Sequence, residues 1–455
     1  MKFVDLFAGC GGLSRGFTDA GFELALAVEK SEMAAETYYN NFIGQTPAGW
    51  ETLARSSVRA QARQKLVVGG VEEIVKSLAQ GKLRSEDVSV LMGGPPCQGY
   101  STAGKRDPDD KRNKLPDQFL KFIDMLEPKF VVVENVAGII STKNSGNLTS
   151  SFAKLASKIS NKSYVVQPVQ LDAAAYGVPQ KRHRLFLICV RHDVARRAGL
   201  LMSIGPRELF RVVTNGGTLL CTAPSNHGLV DYEPRLLPDL VPTPSLACRS
   251  AGQALDALEQ RRQKEEIAND QQRAHRLITR QRFALYRFCY DNDIPRFLIY
   301  YLTKYSHEDK RTLLGRLTSY PSKLKRTVLR MPGLEKQRFS DFDDFFQWLR
   351  KAKTIEQFGT LKHSQRVIIH GKPAPTIMTI PDDLIHPRED RTLTVREMAA
   401  LQGFENSFVF YGKATTGGPE RKVQVPQYTQ VGNAVPPPLA RSIAKKLKQV
   451  NARVS

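Results

Sequence analysis

The sequence predicts an α/β fold in which a parallel sheet flanked by helices is interrupted by a smaller module of mixed structure. In the first 190 residues, short apolar runs alternate with longer amphipathic stretches, as strands and helices do in α/β proteins. From about residue 191 to 387, proline-rich stretches, a long polar helical pattern and a basic mixture replace this alternation. Compact motifs return after residue 391. We therefore predict one domain formed by residues 1–190 and 388–455, into which residues 191–387 are inserted.

The strands are predicted where apolar, β-branched residues form short runs bounded by turn-forming residues. These runs are Phe3–Phe7, Leu24–Glu29, Lys65–Val68, Val88–Met92, Phe130–Glu134, Tyr164–Leu171 and Leu185–Val190. Helical spacing of apolar residues lies between several of them, at Leu13–Ala20, Glu72–Ala79 and Asp117–Leu126. Two further helical patterns are a long polar one over about Gly252–Tyr290 and a basic terminal one over Pro438–Val450.

The net charge indicates a polyanionic partner. The 455 residues include 67 Lys and Arg against 45 Asp and Glu, a net charge of +22, and 41% hydrophobic residues, which excludes a disordered tail. Residues 271–330 hold 14 basic and 4 acidic residues, so 14 minus 4 places +10 in this stretch of the insert. Nucleic acid is the simplest partner, although a solvated helical surface would give the same pattern.

The spacing of cysteines and histidines argues against metal or disulfide scaffolds. The six cysteines form no C-x-x-C pair and the eight histidines no H-x-x-x-H pattern, so we expect no metal. The sequence starts directly with a strand pattern, and no apolar run approaches the roughly 20 residues that span a membrane. We therefore expect a cytoplasmic, nucleoid-associated protein with reduced thiols and no membrane contact.

A glycine-rich turn follows the first predicted strand. In D-L-F-A-G-C-G-G at Asp5–Gly12, the glycines allow a tight turn that brings backbone N–H groups close to a ligand at a helix start. A nucleotide or nucleoside is the expected ligand, although such turns also serve as plain connections. Glu29 ends the next strand, where an acidic side chain can accept hydrogen bonds from ribose hydroxyls.

A cysteine follows the strand Val88–Met92 in a rigid segment, G-G-P-P-C-Q-G-Y-S at Gly93–Ser101. Glycines and prolines fix the backbone around Cys97 at the carboxyl end of a strand, where open α/β sheets bind ligands. A lone cysteine is more often an inert core residue, but a core position does not require this rigid setting. The polar, basic residues up to Lys114 are typical of a loop that closes over a charged substrate.

Charged residues stand at two more predicted strand ends. Glu134, in F-V-V-V-E-N-V, is a carboxylate at a pocket rim where a raised pKa would allow proton transfer. In Q-K-R-H-R, alternate residues Gln180, Arg182 and Arg184 point to one face if the segment is extended. Two adjacent guanidinium groups indicate phosphate or carboxylate recognition, and a solvated basic strand is the other interpretation.

Taken together, these motifs resemble the DNA cytosine C5-methyltransferases, which have a Rossmann-like core that uses S-adenosylmethionine. Asp5–Gly12 is similar to the family's cofactor motif, Gly93–Ser101 to its Pro-Cys loop, Glu134–Val136 to its E-N-V motif and Gln180–Arg184 to its Q-x-R-x-R motif. The last two family motifs are matched by R-T-L-T-V-R-E-M-A-A-L-Q-G-F at Arg391–Phe404 and Q-V-G-N-A-V-P-P at Gln430–Pro437. All six stand in the family's order, with one insert before the last two.

The resemblance implies a catalytic set of Cys97, Glu134, Arg182 and Arg184. Cys97 is expected to add to C6 of the cytosine, and Glu134 to hold the base at N3 and its amino group. Arg182 is expected to support the activated ring, and Arg184 to steady the pocket. The target base has to be flipped out of the duplex, and the products are 5-methylcytosine and S-adenosylhomocysteine.

The resemblance also implies a set of residues that bind S-adenosylmethionine: Phe7, Ala8, Gly9, Gly11, Gly12, Glu29, Val71, Pro96, Leu115, Asn433 and Ala434. One departure from the family lies in V-V-G-G-V at Val67–Val71, where the family commonly has an Asp-Ile pair that meets the adenine. Gly70 offers no carboxylate there.

Double-stranded DNA is the partner that the resemblance implies, and the protein is expected to act as a monomer. Gln98, Ser101, Lys105 and Arg106 on the loop are expected to contact DNA. Residues 191–387 take the place of the family's target-recognition domain, with charge-based candidates Arg273, Arg276, Arg280, Arg282, Lys323, Lys325 and Arg326. Arg55, Arg59 and Arg63 form a further basic helix face that either touches DNA phosphates or is solvated.

A single catalytic core with one insert is the bacterial type, found beside restriction endonucleases or other defence proteins. Two alternatives remain at this point. One is a tRNA cytosine methyltransferase, although its Cys-Phe-Thr tripeptide is absent from the insert. The other is an inactive DNA-binding homologue, against which the intact Cys97, Glu134 and Arg182 argue.

Overall fold

The computed structural model describes residues 1–44, 46–78, 88–95, 115–136, 155–200, 203–204, 210–214, 217–221, 235–236, 238–244, 248–291, 365–416, 420 and 424–454. The strands are β1 (Lys2–Leu6), β2 (Glu23–Glu29), β3 (Leu66–Val68), β4 (Val90–Gly93), β5 (Phe130–Val136), β6 (Tyr164–Asp172), β7 (His183–Arg191), β8 (Ser203–Ile204), β9 (Phe210–Thr214), β10 (Gly217–Cys221), β11 (Arg235–Leu236), β12 (Arg366–Val367) and β13 (Leu384–Ile385).

The helices alternate with the first five strands and recur near the end of the chain. They are α1 (Gly12–Asp19), α2 (Glu32–Phe42), α3 (Pro47–Ala54), α4 (Val58–Arg63), α5 (Val71–Leu78), α6 (Leu115–Leu126), α7 (His192–Arg197), α8 (Ala251–Arg262), α9 (Leu277–Asp291), α10 (Val395–Gln402), α11 (Gln427–Asn433) and α12 (Pro437–Ala452). Residues 155–160 are also helical, and short 3-10 turns occur at Ala173–Tyr176, Pro238–Leu240 and Pro381–Asp383.

Nine strands form the main sheet, in the order β3-β2-β1-β4-β5-β7-β6-β10-β9. The first five strands in this order, β3, β2, β1, β4 and β5, run parallel to one another, as predicted for the amino-terminal part of the chain. The rest of the sheet is antiparallel: β7 is antiparallel to both β5 and β6, and β10 is antiparallel to β6 and β9. Only residues 173–182 join β6 to β7, and a parallel neighbour would need a longer crossover.

The predicted bounds of the seven strands and of the early helices lie within two residues of those observed. The long polar helix predicted over Gly252–Tyr290 is instead two helices, α8 and α9. The chain turns at Asn269, whose φ of 65° is outside the helical region, and the Asn269 carbonyl accepts a hydrogen bond from the backbone N–H of Arg396 at 3.0 Å. The chain between α8 and α9 is therefore not helical at Asn269, where it contacts the distant residue Arg396 instead.

The chain divides into two compact units. The first comprises Met1–Ala268, Lys372–Thr379 and Met398–Ser455, and the second comprises Asn269–Gly371 and Ile380–Glu397. Residues 191–268, which the sequence assigns to the insert, thus lie in the first unit.

In the first unit, helices from both ends of the chain pack closely on the sheet. A Cβ atom at Gly16 of α1 would lie 2.4 Å from the Ala440 Cβ and 2.5 Å from the Pro437 carbonyl oxygen, so only glycine allows α1 to approach α12 this closely. The carboxyl ends of β1, β2, β4 and β5 meet at one edge of the sheet because these strands are parallel. Two of the predicted site residues, Glu29 and Glu134, lie at that edge.

In the second unit, a buried ion pair fixes the segment before α10. Arg391 donates two hydrogen bonds, of 2.8 Å each, to the carboxylate of Glu397, which is fully buried. The same guanidinium also pairs with Glu389. The backbone N–H of Thr394 bonds to Glu397 at 2.9 Å. The Arg391–Phe404 motif thus begins with a segment held by charge-assisted hydrogen bonds.

Candidate active site

The turn after β1 has the conformation that its glycines predict. Phe7, Gly9 and Gly11 have φ values of 61°, 56° and 93°, so the chain passes through left-handed conformations three times within five residues. For Phe7 this conformation is strained, as is common where backbone lines a ligand site. A Cβ at Gly12 would lie 2.3 Å from the carbonyl oxygen of Val435. The turn is therefore fitted against the chain near its other end.

Glu29 anchors this turn from the end of β2. Its carboxylate accepts hydrogen bonds from the backbone N–H groups of Gly9 at 2.8 Å and Ser31 at 2.7 Å. Burial raises the pKa of Glu29, and these N–H groups oppose the rise. Glu29 thus lies at the turn, where an acid that meets ribose hydroxyls is predicted.

Open space surrounds two glycines near Glu29. A Cβ at Gly9 or at Gly70 would meet no atom within 4 Å among the described residues. The backbone N–H of Gly69 donates to the Glu29 carbonyl at 2.9 Å, which holds the Gly70 segment beside the same strand end. An acid between two open glycine segments fits a nucleoside such as the adenosyl group of S-adenosylmethionine.

The remaining predicted cofactor residues that the structure describes lie in the glycine turn and at the ends of three helices. Ala8 is buried in the turn, and Val71 begins α5 with 3% of its surface exposed. Leu115 is half-buried at the start of α6. Asn433 ends α11 with an exposed side chain, and Ala434 follows it and is buried. The Ala434 Cβ lies 3.1 Å from the position of a Cβ on Gly12, so this segment borders the glycine turn.

A buried acid, Asp5, lies in β1 just before the glycine turn and is hydrogen-bonded to α1. Asp5, 1% exposed, accepts a hydrogen bond from the Ser14 hydroxyl at 2.6 Å, and the Ser14 oxygen lies 2.7 Å from the Tyr38 hydroxyl. Burial raises the pKa of Asp5 to about 7, and the Ser14 hydrogen bond limits the rise.

We expect Asp5→Asn to stabilise the protein increasingly as the pH rises from 5 to 8. Because the folded-state pKa of Asp5 is raised, the folded state binds more protons than the unfolded state between about pH 4 and 7, and wild-type stability falls across that window. Asn stays neutral and avoids this loss, which reaches at most about 4 kcal/mol for a shift of about three pKa units. Melting temperatures of both proteins at pH 5 and 8 measure the effect.

Asp117→Asn, a change at an exposed carboxylate, controls for the loss of one negative charge. A melting-temperature difference between wild type and Asp5→Asn that stays constant over this pH range would contradict the role of Asp5.

Glu134 and Arg184, which are both predicted to lie in the pocket for the target base, form an ion pair. The Nε atom of Arg184 lies 2.9 Å from the Oε1 atom of Glu134, and the two side chains are only 12% and 14% exposed. The pairing of β5 with β7 brings them together, since Val136 is the register partner of Arg184 and Glu134 is two residues away. Burial raises the pKa of Glu134, while the nearby Arg184 and Arg182 charges oppose the rise.

Arg182 is held by backbone carbonyl groups from two distant segments. It is fully buried, and its guanidinium donates to the carbonyl oxygens of Ile377 at 3.0 Å, Gly432 at 2.6 Å and Ala434 at 3.2 Å. Arg184 is thus the arginine paired with Glu134, and the role of Arg182 at the base ring stays a prediction. Residue 182 precedes β7, so the alternation of an extended strand does not govern its direction.

The segment that leads to Cys97 starts beside Glu134. A Cβ on Gly94 would lie 3.0 Å from the Oε2 atom of Glu134, and the Asn135 amide nitrogen lies 3.5 Å from the Pro95 carbonyl oxygen. Strand β4, which ends at Gly93, thus directs the following chain towards the acid. The other predicted residues of this segment and loop lie outside the described residues: Pro96, Cys97, Gln98, Ser101, Lys105 and Arg106.

The basic candidates in the insert are only partly available for DNA. Arg273 pairs with Asp382 at 2.6 Å, whereas Arg276 and Arg280 are exposed. Arg282 is half-buried. Lys323, Lys325 and Arg326 lie outside the described residues. On α3 and α4, the predicted basic face is exposed at Arg55, Arg59 and Arg63.

The described side chains also include free thiols and possible metal ligands. Cys10 and Cys189 are buried free thiols, and burial raises the pKa of Cys10 to about 12. Cys248 is an exposed free thiol. Within the described ranges, no three His, Cys, Asp or Glu side chains are grouped as a metal site would require. No helix in this part of the chain combines the length and hydropathy of a membrane span.

The described residues combine an α/β sheet, a glycine turn at one strand end and a Glu134–Arg184 pair beside Gly94. The family model for C-5 cytosine-specific DNA methylases matches residues 1–449, and the chain belongs to this family. It is therefore a DNA (cytosine-5-)-methyltransferase, and membership brings S-adenosylmethionine as the methyl donor and DNA as the substrate.

Relatives of similar length include two type II methyltransferases. M.DdeI of Desulfomicrobium norvegicum is 29% identical over 98% of this chain and 88% of the relative. M.AgeI of Thalassovita gelatinovora is 27% identical over 98% of this chain and 99% of the relative. Among solved structures, a candidate DNA modification methyltransferase encoded within an E. coli prophage has a TM-score of 0.52 at 22% identity, over 99% of both chains. This last likeness supports the fold.

Proposed function

We propose that the protein transfers a methyl group from S-adenosylmethionine to C5 of a cytosine flipped out of a specific duplex DNA sequence, with Cys97 as the nucleophile. The observation that carries the proposal is the buried Glu134–Arg184 pair beside Gly94. An acid with a raised pKa, an arginine and the start of the Pro-Cys segment meet at adjacent strand ends, where a base could be held and protonated.

The reaction needs an activated ring because cytosine C5 is a poor nucleophile. The Cys97 thiolate adds to C6 while the Glu134 carboxyl donates its proton to N3, which makes C5 react like an enamine carbon. S-adenosylmethionine supplies the electrophilic methyl group when bound. After methylation, a base removes the C5 proton, the C6–S bond breaks, and the N3 proton returns to Glu134. Arg184 holds the Glu134 carboxylate in place through their ion pair and so steadies the pocket.

Different groups of the predicted cofactor residues contact different parts of S-adenosylmethionine. Glu29 and the turn from Phe7 to Gly12 hold the ribose and the methionine part, and Asn433 and Ala434 add a contact beside the methionine part, where Ala434 borders Gly12. Val71 and Leu115 provide apolar surface, and Pro96 lines the boundary with the cytosine. Gly70 leaves open space where the family's aspartate would stand, so we assign adenine contact there to backbone and apolar groups.

The remaining assignments follow the family's organisation. Gln98, Ser101, Lys105 and Arg106 contact DNA as the loop closes, and residues 191–387 act as the target-recognition domain beside a catalytic domain of residues 1–190 and 388–455. The protein acts as a monomer in the cytoplasm. Because type II methyltransferases are among its relatives, we assign it the protection of host DNA beside a restriction endonuclease or another defence protein.

Incubation with methyl-labelled S-adenosylmethionine and mixed-sequence duplex DNA, followed by bisulfite mapping, tests the proposal. We expect label in DNA at cytosines within one short sequence. Label on tRNA with none on DNA, or methylation at adenine, would contradict it. Plasmid DNA from cells that express the protein should also resist a restriction endonuclease that cuts the mapped sequence.

A further inference from the structure

A buried amide side chain links three distant parts of the first unit. Gln402, the last residue of α10, has no exposed surface. Its Nε2 atom donates to the carbonyl oxygens of Ala434 at 2.6 Å and Val431 at 3.3 Å. Its Oε1 atom accepts a short hydrogen bond from the amide of Gln180. Every polar atom of the Gln402 amide is thus engaged.

Gln180 orients the Gln402 amide. The Oε1 atom of Gln180 accepts from the backbone N–H of Ile377 at 2.8 Å, so its Nε2 atom has to face Gln402 and the Leu401 carbonyl. An isolated parallel bridge joins Gln180 to Ala374, which fixes the backbone of Gln180 as well. Because Gln180 presents a donor, Gln402 presents its own donor to Ala434.

The carbonyl that Gln402 holds belongs to the cofactor side of the site. Ala434 and Val435 are the residues that border Gly12, the last glycine of the turn. The Cys10 thiol approaches the Gln430 carbonyl at 3.6 Å in the same region. A displacement of residues 433–435 would therefore shift or release the glycine turn, since the gap at Gly12 is too small for a Cβ atom.

We propose that Gln402 is a positioning residue for the methyl donor: its amide, oriented by Gln180, fixes the Ala434 carbonyl and thereby holds the Asn433–Val435 segment against the glycine turn. Arg182 shares the Ala434 carbonyl and fixes Gly432. None of these side chains has to touch the ligand. The inference rests on the proposed function, because it assigns the residues that Gln402 positions to cofactor binding.

The test uses Gln402→Met, which keeps the approximate volume and removes both hydrogen-bonding atoms. We expect the Kd for S-adenosylmethionine, measured by equilibrium dialysis, and its KM to rise by about tenfold or more. We expect kcat at saturation and the KM for DNA to change less than about threefold, because Glu134 and Arg184 are untouched. A merely structural loss would lower the active fraction, and hence kcat, without raising the KM.

Two further variants separate positioning from general stability. Gln402→Glu keeps the acceptor for Gln180 but places a carboxylate against the Ala434 carbonyl, so it should raise the same KM even if Gln402→Met folds poorly. Val450→Ala, at a buried position late in α12, should lower the melting temperature and leave the KM for S-adenosylmethionine unchanged.

The outcomes are distinguishable. If the wild type binds S-adenosylmethionine and both Gln402 variants bind it equally well, the positioning role is wrong and the proposed function stands. If Val450→Ala raises the KM as much as the Gln402 variants do, the effect is one of stability and the positioning role is again overturned. If the wild type neither binds S-adenosylmethionine nor transfers its methyl group, both proposals fail.

Discussion

Replacing Cys97 by serine is expected to abolish methyl transfer, with a loss of more than about 10⁴-fold in kcat. A serine hydroxyl is far less nucleophilic than a thiolate at neutral pH, so it cannot add to C6 and C5 stays unreactive. Single-turnover transfer of labelled methyl to the mapped DNA sequence measures the loss. Binding of DNA and of S-adenosylmethionine should persist, since the change only replaces one sulfur atom by oxygen.

Cys248→Ser is the matched control, because Cys248 is an exposed free thiol outside the site. It should keep wild-type activity. A duplex with 5-fluorocytosine at the target position should trap a covalent adduct on the wild type and on Cys248→Ser but not on Cys97→Ser, because fluorine blocks loss of the C5 proton. Activity of Cys97→Ser within tenfold of wild type would exclude the nucleophile assignment.

Glu134→Gln is expected to lower kcat by about 10²-fold to 10⁴-fold, the range for loss of a positioned proton donor. Glutamine keeps the size of the side chain but has no proton to give to N3, and it leaves the Arg184 guanidinium without its carboxylate. Steady-state kinetics over pH 5 to 9 would show the loss. Because burial raises the pKa of Glu134, wild-type activity should fall as the carboxyl ionises at higher pH. This decrease in activity at higher pH should be absent from Glu134→Gln.

Glu127→Gln controls for removal of a carboxylate, because Glu127 is exposed and follows α6 at a distance from the strand end. It should leave kcat and the pH profile unchanged. Equal rates for Glu134→Gln and wild type would mean that another group protonates the base.

The sequence was sufficient for the parts of the molecule in which local pattern decides structure. Apolar runs predicted the strands, and the glycines predicted a tight turn, in which Gly9 and Gly11 have positive φ values. Glu134 was expected at a strand end and lies two residues before the end of β5, where the fully buried part of the strand stops.

Contacts between distant segments could not be predicted in this way. The direction of β7 depends on how residues 173–182 return to the sheet, and the direction of Arg182 depends on the carbonyl groups of Ile377, Gly432 and Ala434. Gln402 carries no signal of its own, since a glutamine in a helix usually faces solvent. Its full burial beside a second glutamine could have been suspected only from the packing of α10.

The close approach of α1 to α12 has a consequence for biosynthesis. Gly16 and Ala440 are 424 positions apart in the sequence, so a ribosome that adds roughly 5–20 residues per second produces them on the order of tens of seconds apart. During this time the apolar face of α1, including Phe17, has no helical cover from α12. The nascent chain therefore exposes the apolar face of α1 until the residues of α12 have been added, and chaperones that hold such surfaces would act during this interval.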